Sequence, residues 1–173
     1  LLGMADEIQL LRRLLDDFVQ FYQYGDFNRK LNCHSTSLSE WLQSVLAPRR
    51  EAAISKGIVW EAILRPDLPT IEIDSGRMSE AVRNLLSNAI KYSPDGGPIT
   101  ITARLEPAEQ LVVRVQDSGL GMTQEQCGRL FRQYERVERD EITNIPSTAL
   151  ELYLVKSRVE LHGGESGAED MPC

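Results

Sequence analysis

Two short stretches of this chain place residues that can bind phosphate and a nucleotide base at fixed spacings. In the first, Asn84, Asn88 and Lys91 follow one another at steps of four and three. A helix would therefore present both amides and the ammonium on one side. Amide oxygens can ligate a hydrated magnesium ion while an ammonium meets a phosphate oxygen. Taken alone, however, the stretch is more simply an amphipathic helix whose polar residues face solvent.

The second stretch is a carboxylate followed by two closely spaced glycines. Asp117 closes a predicted strand, and Gly119 and Gly121 come directly after it. A carboxylate at a strand end can accept a hydrogen bond from an exocyclic amine such as that of adenine. Glycines let a planar ligand approach the main chain, although Asp-Ser-Gly is also a common turn. Together the two stretches predict opposite walls of a nucleotide pocket.

Composition sets limits on what the protein can be. With 173 residues and 42% hydrophobic content, we expect one packed domain with an appendage. The net charge of −7 argues against a nucleic-acid-binding protein but not against ATP binding. Cys33, Cys127 and Cys173 lack disulfide or metal spacing, which is typical of free thiols in a reducing compartment. There is neither a signal peptide nor an apolar run of about 18 residues, so we expect a soluble, cytoplasmic protein. The chain opens with Leu-Leu-Gly and no initiator methionine, so we also expect a piece of a longer protein, with any membrane contact through a missing N-terminal region.

The N-terminal region has the pattern of a bundle helix. Apolar residues recur at steps of three and four in residues 4–25: Ile8, Leu11, Leu15, Phe18 and Tyr22. This narrow seam needs a partner helix, or else the helix lies on its own domain. Residues 26–37 are polar and irregular, and they are predicted to be a linker.

The remaining chain alternates helical and strand patterns. Helices are predicted at 38–56 (with Pro48 as a possible kink or break), 78–92, 124–132 and 150–161. Strands are predicted at 58–63, 70–74, 99–105 and 111–116. A mobile loop is predicted at 134–148. The last two strands are close enough to form an antiparallel hairpin. The fold class is therefore α+β, a two-layer sandwich with helices on one face of a mixed sheet.

The two stretches resemble conserved boxes of a known family. Arg83–Pro94 and Asp117–Met122 resemble the N box and G1 box of the catalytic and ATP-binding domain of sensor histidine kinases. That family lies in the ATPase superfamily of gyrase, the ninety-kilodalton heat-shock chaperone and MutL. Leu130–Arg136 is similar to the F box, Tyr153–Gly164 to the helix after the G2 box, and Ile71–Met78 to the strand and turn entering the N-box helix. The resemblance covers residues 4–164 in the family's order.

The resemblance implies roles for the first stretch. Asn84 would be the magnesium ligand, and Asn88 would contact phosphate or the metal shell. Lys91 would meet phosphates, and Tyr92 would line the pocket beside the nucleotide. The implied ligands are therefore ATP and Mg²⁺.

It also implies roles for the second stretch and for the regions similar to the F and G2 boxes. Asp117 would hold the adenine amine above a floor formed by Gly119 and Gly121. Phe131 would anchor one end of an ATP lid at residues 134–148. The stretch matching the G2 box adds Thr148 and Leu150 to the nucleotide site.

The domain organisation follows from the same resemblance. Residues 1–25 would be the second helix of a dimerisation and phosphotransfer hairpin, 26–37 the linker and 38–173 the catalytic domain. A homodimer through the N-terminal helix and a response regulator are the implied partners.

Three departures separate this chain from the family pattern. Ser147, Ala149 and Glu151 stand where the G2 box has glycines that let backbone amides wrap the phosphates. Glu151 would bring a carboxylate close to the triphosphate, which predicts impaired nucleotide binding. Alternatively, the lid is displaced and Glu151 only interacts with the positive end of its helix dipole.

The other two departures concern missing parts. No phosphoacceptor histidine is visible, because His34 lies in the polar linker and His162 matches the family's structural His-Gly-Gly. Glu165–Cys173 is too short and polar for the final strand pair of kinases.

Three functions are compatible with these patterns. The first is the ATP-binding module of a histidine kinase, which transfers a γ-phosphoryl group to a histidine outside this chain. The second is a non-catalytic pseudokinase or adaptor that docks a response regulator or a partner kinase. The third is a serine kinase of the anti-sigma-factor type, against which the bundle-like N-terminal helix counts.

Overall fold

A computed structural model describes residues 8, 30–93, 96–106, 110–119, 121–131 and 150–169. The chain divides into two compact units. The sheet unit has its described residues within Asn32–Met122, and the helical unit has most of its own within Thr123–Asp170. Of the predicted N-terminal seam, Ile8 is helical with a side chain 65% exposed, and the rest lies outside the described residues.

Two helices of 18 residues form one layer of the sheet unit: α1 (Leu38–Ser55) and α2 (Ser75–Tyr92). Helix α1 buries its predicted apolar side, Trp41, Leu42, Val45 and Leu46. The Trp41 indole donates a hydrogen bond of 2.7 Å to Ser79 Oγ on α2, which ties the helices together. Both predicted helices are confirmed.

Helix α1 continues through Pro48, where the sequence left a kink or a break open. Proline removes one backbone donor from the helix interior, which is destabilising. Buried Leu46 and Ala53 lie on either side of Pro48, so packing against the core holds both parts in place.

Within the described residues, five strands form two open sheets. In the smaller sheet β1 (His34–Ser37) pairs antiparallel with β3 (Thr70–Ile73). In the larger sheet β4 (Pro98–Glu106) lies between β2 (Val59–Leu64), which is parallel to it, and β5 (Gln110–Gln116), which is antiparallel. The β4–β5 pair confirms the predicted hairpin, in register from Thr100 opposite Gln116 to Glu106 opposite Gln110.

Strand β1 was not predicted, because its four residues are polar and were assigned to the linker. It exists through pairing with β3, in the register His34 to Ile73 and Ser37 to Thr70. Such pairing is non-local and leaves no hydrophobic alternation in the strand itself. The domain of packed structure therefore begins before residue 38.

The core lies between the two helices and one face of the larger sheet. Ile99, Ile101 and Ala103 of β4 are fully buried at alternate positions, as a half-buried strand requires. Val59 and Ile63 of β2, which share register with Pro98 and Thr102, are on the opposite face and more than half exposed. Helices on one face of the sheet confirm the predicted α+β class.

The helical unit contains α3 (Gln124–Arg129) and α4 (Glu151–Leu161). A capping box between Thr123 and Gln126 begins α3, which ends earlier than predicted. Helix α4 ends at Leu161 and is followed by Gly163, whose φ of +76° favours glycine. Residues 165–169 form neither helix nor strand. None of the helices in the described ranges is long and apolar enough to cross a membrane.

Candidate functional site

The start of α2 is fixed by a buried polar cluster at Asp74. Its carboxylate accepts hydrogen bonds of 3.1 Å from the backbone N–H groups of Arg77 and Asn32. The Arg77 guanidinium lies 3.3 Å from Asp74 Oδ2, and both side chains are largely buried. This N-cap sets the register of α2, and with it the direction in which Asn84, Asn88 and Lys91 face.

The first wall consists of Asn84, Asn88, Lys91 and Tyr92 near the end of α2. None of the four is among the fully buried residues of the helix, and all four residues are half-buried. Asn88 Oδ1 is buried, and it has no hydrogen-bond partner among the described residues. A buried amide oxygen left without a partner costs roughly 1–3 kcal/mol. Asn88 Oδ1 can therefore accept a hydrogen bond from a ligand or a water, or ligate a metal ion.

Lys91 lies beside Tyr92 at the end of the same helix. Its Nζ is 5.8 Å from the centroid of the Tyr92 ring, within the range of a cation–π contact. The ammonium and the ring are thus held together at the helix end. A cation and a flat aromatic surface lie next to each other there.

The second wall begins where β5 ends. Asp117 Oδ1 accepts a hydrogen bond of 2.8 Å from the N–H of Gly119. The residue is exposed as a whole, but the atoms packed around its carboxyl raise the pKa of Asp117, and the bond from Gly119 offsets part of this rise. Gly121 has a φ of +66°, so this segment turns in a way that favours glycine.

The two walls meet at Gly119. A Cβ on this residue would lie 3.2 Å from the carbonyl oxygen of Tyr92 and 2.6 Å from Asp117 Oδ1. The end of α2 and the turn after β5 are therefore in close approach, with no room for a side chain between them. This juxtaposition is what the sequence predicted for the two stretches.

Two further polar atoms at this junction were not singled out from the sequence. The hydroxyl oxygens of Ser93 and Ser118 are buried, and neither has a partner within the described part of the chain. Each is a direct neighbour of a wall residue, Tyr92 or Asp117 respectively. Serine is common in turns, so its type alone gave no signal.

The remaining predicted site residues belong to the helical unit. Phe131 follows α3, and Leu150 precedes α4 and is buried at 8% exposure. Glu151 is the first residue of α4, where its carboxylate meets the positive end of the helix dipole. Thr148, Ser147, Ala149 and the predicted lid at 134–148 lie outside the described residues. Their roles, like those of Phe131 and Leu150, stay predictions.

Comparison with known proteins identifies the family. The model of the histidine kinase-, DNA gyrase B- and HSP90-like ATPases matches residues 73–172, more than half of the chain, including both walls. The chain belongs to this family. Within it, the chain carries the ATP-binding catalytic domain of the sensor histidine kinase type.

The similarity to histidine kinases extends along almost the whole chain. Sensor histidine kinase WalK of Bacillus subtilis (strain 168) is 26% identical over 177 residues, covering 99% of this chain. The chain spans only 28% of the length of that relative.

Solved structures share the fold. Full-length ShkA in complex with AMPPNP aligns with a TM-score of 0.78 at 23% identity, covering 96% of this chain and 34% of ShkA. Histidine kinase ThkA in complex with response regulator protein TrrA aligns with a TM-score of 0.75 at 19% identity, covering 96% and 45% respectively.

Proposed function

We propose that this domain binds Mg·ATP between its two walls and positions the γ-phosphoryl group for transfer to a histidine outside this chain. The observation that carries the proposal is the close approach at Gly119. It brings a base-binding carboxylate and a phosphate-binding helix face to one place. Catalysis by such a domain consists mostly of positioning and charge neutralisation.

Asp117 and the glycines form the adenine end of the proposed site. The carboxylate keeps one oxygen on the N–H of Gly119, which fixes its direction. Its second oxygen would accept from the exocyclic amine of adenine. Gly119 and Gly121 would leave the space beneath the base open, and the Tyr92 ring would line its side.

Residues Asn84, Asn88 and Lys91 form the phosphate end. We assign Asn84 as the Mg²⁺ ligand, with Asn88 contacting phosphate or the metal shell. The donor set suits the ion, because Mg²⁺ prefers oxygen ligands and keeps several waters. The buried Oδ1 of Asn88, which has no partner in the described part of the chain, supports a polar ligand at this face. When bound, Mg²⁺ would neutralise charge on the phosphates, and Lys91 would meet a phosphate oxygen.

The stretch similar to the G2 box would support phosphate binding less well than a glycine-rich G2 box. Phe131, Thr148 and Leu150 would contribute to the third wall and the lid. With Ser147, Ala149 and Glu151 in place of glycines, we expect weak binding of the triphosphate.

The same substitutions favour a second candidate function, an adaptor that docks a response regulator or a partner kinase without catalysis. A response regulator partner is proposed in both cases, and the ThkA–TrrA complex is the precedent for such an assembly. We also propose a homodimer through residues 1–25 and a cytoplasmic location.

Calorimetric titration with Mg·ATP separates the two functions. We expect saturable binding to the wild type and its loss in Asp117→Asn, which replaces an acceptor oxygen with a donor. Asp67→Asn is the matched control, because Asp67 is an exposed carboxylate of the same unit paired with Arg65. No binding to the wild type at millimolar nucleotide would exclude the kinase function for this chain and leave the adaptor. Equal binding by the wild type and Asp117→Asn would refute the adenine site.

A further inference from the structure

The helical unit contains a cavity of about 350 Å³ that is not part of the two walls. Residues of α3, of α4 and of the segment after α4 line it: Gln124, Cys127, Gly128, Phe131, Lys156 and Ser166. Its volume falls at the lower end of the range for small-molecule sites in proteins. The lining combines an aromatic ring and a thiol with an amide, an ammonium and a hydroxyl.

One polar atom of the lining lacks a partner. Ser166 Oγ is buried, and no described residue forms a hydrogen bond with it. A buried hydroxyl is normally satisfied by protein, water or ligand. Ser166 can therefore form a hydrogen bond with a polar group of a ligand in the cavity.

The cation of the lining is available for a new contact. Lys156 Nζ lies 3.7 Å from Glu160 Oε1, and both side chains are about half exposed. Such a pair one helical turn apart contributes little to stability. The ammonium can therefore turn to an anion in the cavity at small cost.

Gly128 keeps the cavity open. It lies within α3 at an ordinary helical φ, and a Cβ there would meet nothing within 4 Å. Glycine inside a helix is less stable than alanine by about 1 kcal/mol. Neither backbone conformation nor a close neighbour requires glycine at this position. What glycine preserves is the empty space beside Phe131.

We propose that this cavity binds a small aromatic carboxylate. The ring would pack on Phe131, and the carboxylate would meet the Lys156 ammonium and the Ser166 hydroxyl. An ion pair with hydrogen bonds fixes the anionic end, and the apolar part of the lining receives the ring. None of the wall residues lines this cavity, whereas Phe131 belongs both to its lining and to the proposed lid, so its occupant would be a regulatory small molecule.

Benzoate is the probe, used with the full chain and ligand-observed NMR. We expect saturable binding with a dissociation constant on the order of 1 mM, typical of a ligand this small. Benzamide, which has the same shape without the charge, should bind at least about tenfold more weakly. No benzoate binding at about ten times that concentration would overturn the proposal.

Two substitutions test the location. Gly128→Leu fills the open space with a good helix former and should abolish binding, whereas Lys156→Met should weaken it about tenfold. Lys56→Met is the control, because Lys56 caps α1 in the sheet unit, and it should leave binding unchanged. Thermal unfolding checks that Gly128→Leu is folded. Benzoate binding that is equal in the wild type and Lys156→Met would overturn the proposal even if Gly128→Leu fails to fold.

Alkylation of Cys127 gives a second readout. Cys33 is exposed and Cys173 is the third thiol, so both are replaced by serine in the test protein. The Cys127 thiol adds across the double bond of N-ethylmaleimide, and its proton passes to the neighbouring carbon. Benzoate should slow this reaction severalfold, and an unchanged rate at saturating benzoate would contradict binding beside Cys127.

Discussion

One glycine of the sheet unit and one glycine of the helical unit have opposite surroundings. In the sheet unit Gly119 stands where a Cβ would meet Tyr92 and Asp117, so the site is closed around it. In the helical unit Gly128 stands in open space beside a cavity. The first glycine permits contact between two walls, and the second prevents a gap from being filled.

The two units also differ in how closely their sequences match the family pattern. Both walls in the sheet unit keep the residues of the N and G1 boxes, and buried contacts position them. The helical unit has exchanged the G2 glycines for Ser147, Ala149 and Glu151. We infer that the sheet unit supplies the residues for both base and phosphate contact, and that the missing G2 glycines weaken phosphate binding.

The largest expected effect comes from adding one methyl group to each of the two glycines, Gly119 and Gly128. Gly119→Ala should destabilise the fold by roughly 1–2 kcal/mol and abolish nucleotide binding, because the Asp117 carboxyl must move and the Tyr92 carbonyl must yield. Gly128→Ala should stabilise it by about 0.5–1 kcal/mol, because helix propensity improves without a clash. Denaturant unfolding measures both. A pair of variants with equal stability would show that the two sites do not differ as described.

A substitution of Glu151, with a smaller expected effect, tests how the helical unit influences nucleotide binding. Glu151→Gly should tighten Mg·ATP binding by up to about tenfold, since a carboxylate near the phosphates is removed. Glu151→Gln separates the loss of charge from the gain of glycine. Glu160→Gln, on the last turns of the same helix, is the control. If calorimetry gives the same affinity for Glu151→Gly as for the wild type, the Glu151 carboxylate does not weaken phosphate binding.

The smallest expected effect concerns the free energy of unfolding, which the ionised Asp117 carboxylate lowers. Burial raises the pKa of Asp117 above 3.8, so ionisation favours the unfolded chain, whose carboxyl has the lower pKa. This cost is present above the folded-state pKa and disappears as the pH falls below 3.8. Asp117→Asn should therefore be slightly more stable than the wild type at neutral pH, by less than about 1 kcal/mol, and lose this advantage in acid.

Asp67→Asn provides the control of opposite sign. Bonds from Arg65 lower the pKa of Asp67, so its stabilising contribution is present at neutral pH and lost as the pH falls. Unfolding at several pH values should show the two variants diverging from the wild type in opposite directions. If the stability of both variants differed from the wild type in the same direction, the environments assigned to Asp67 and Asp117 would be wrong.

Part of this architecture could be predicted because the signals are local. Helices α1 and α2 have apolar residues at helical spacing, and the β4–β5 hairpin has alternating strands joined by a short connection. Strand β1 and the parallel pairing of β2 with β4 depend on residues far apart in the chain, and no local pattern records them. The sequence therefore predicted one sheet where the structure has two.

The same distinction between local and long-range signals applies to the candidate site. Spacing alone placed Asn84, Asn88 and Lys91 on one helix face, and chain order placed Asp117 at a strand end. The close approach at Gly119 and the unpartnered hydroxyls of Ser93 and Ser118 are tertiary features. The cavity beside Gly128 is another, because it depends on where the segment after α4 lies relative to α3.

The most direct test of the two-wall site is a nitrogen-15 NMR titration of the chain with Mg·ATP. The account predicts saturable shifts of the Gly119 and Gly121 backbone amides and of the Asn88 side-chain amide. Resonances of α3 around Gly128 should shift less than these. Shifts confined to the helical unit, or the absence of shifts at Gly119 and Asn88 at saturating nucleotide, would contradict it.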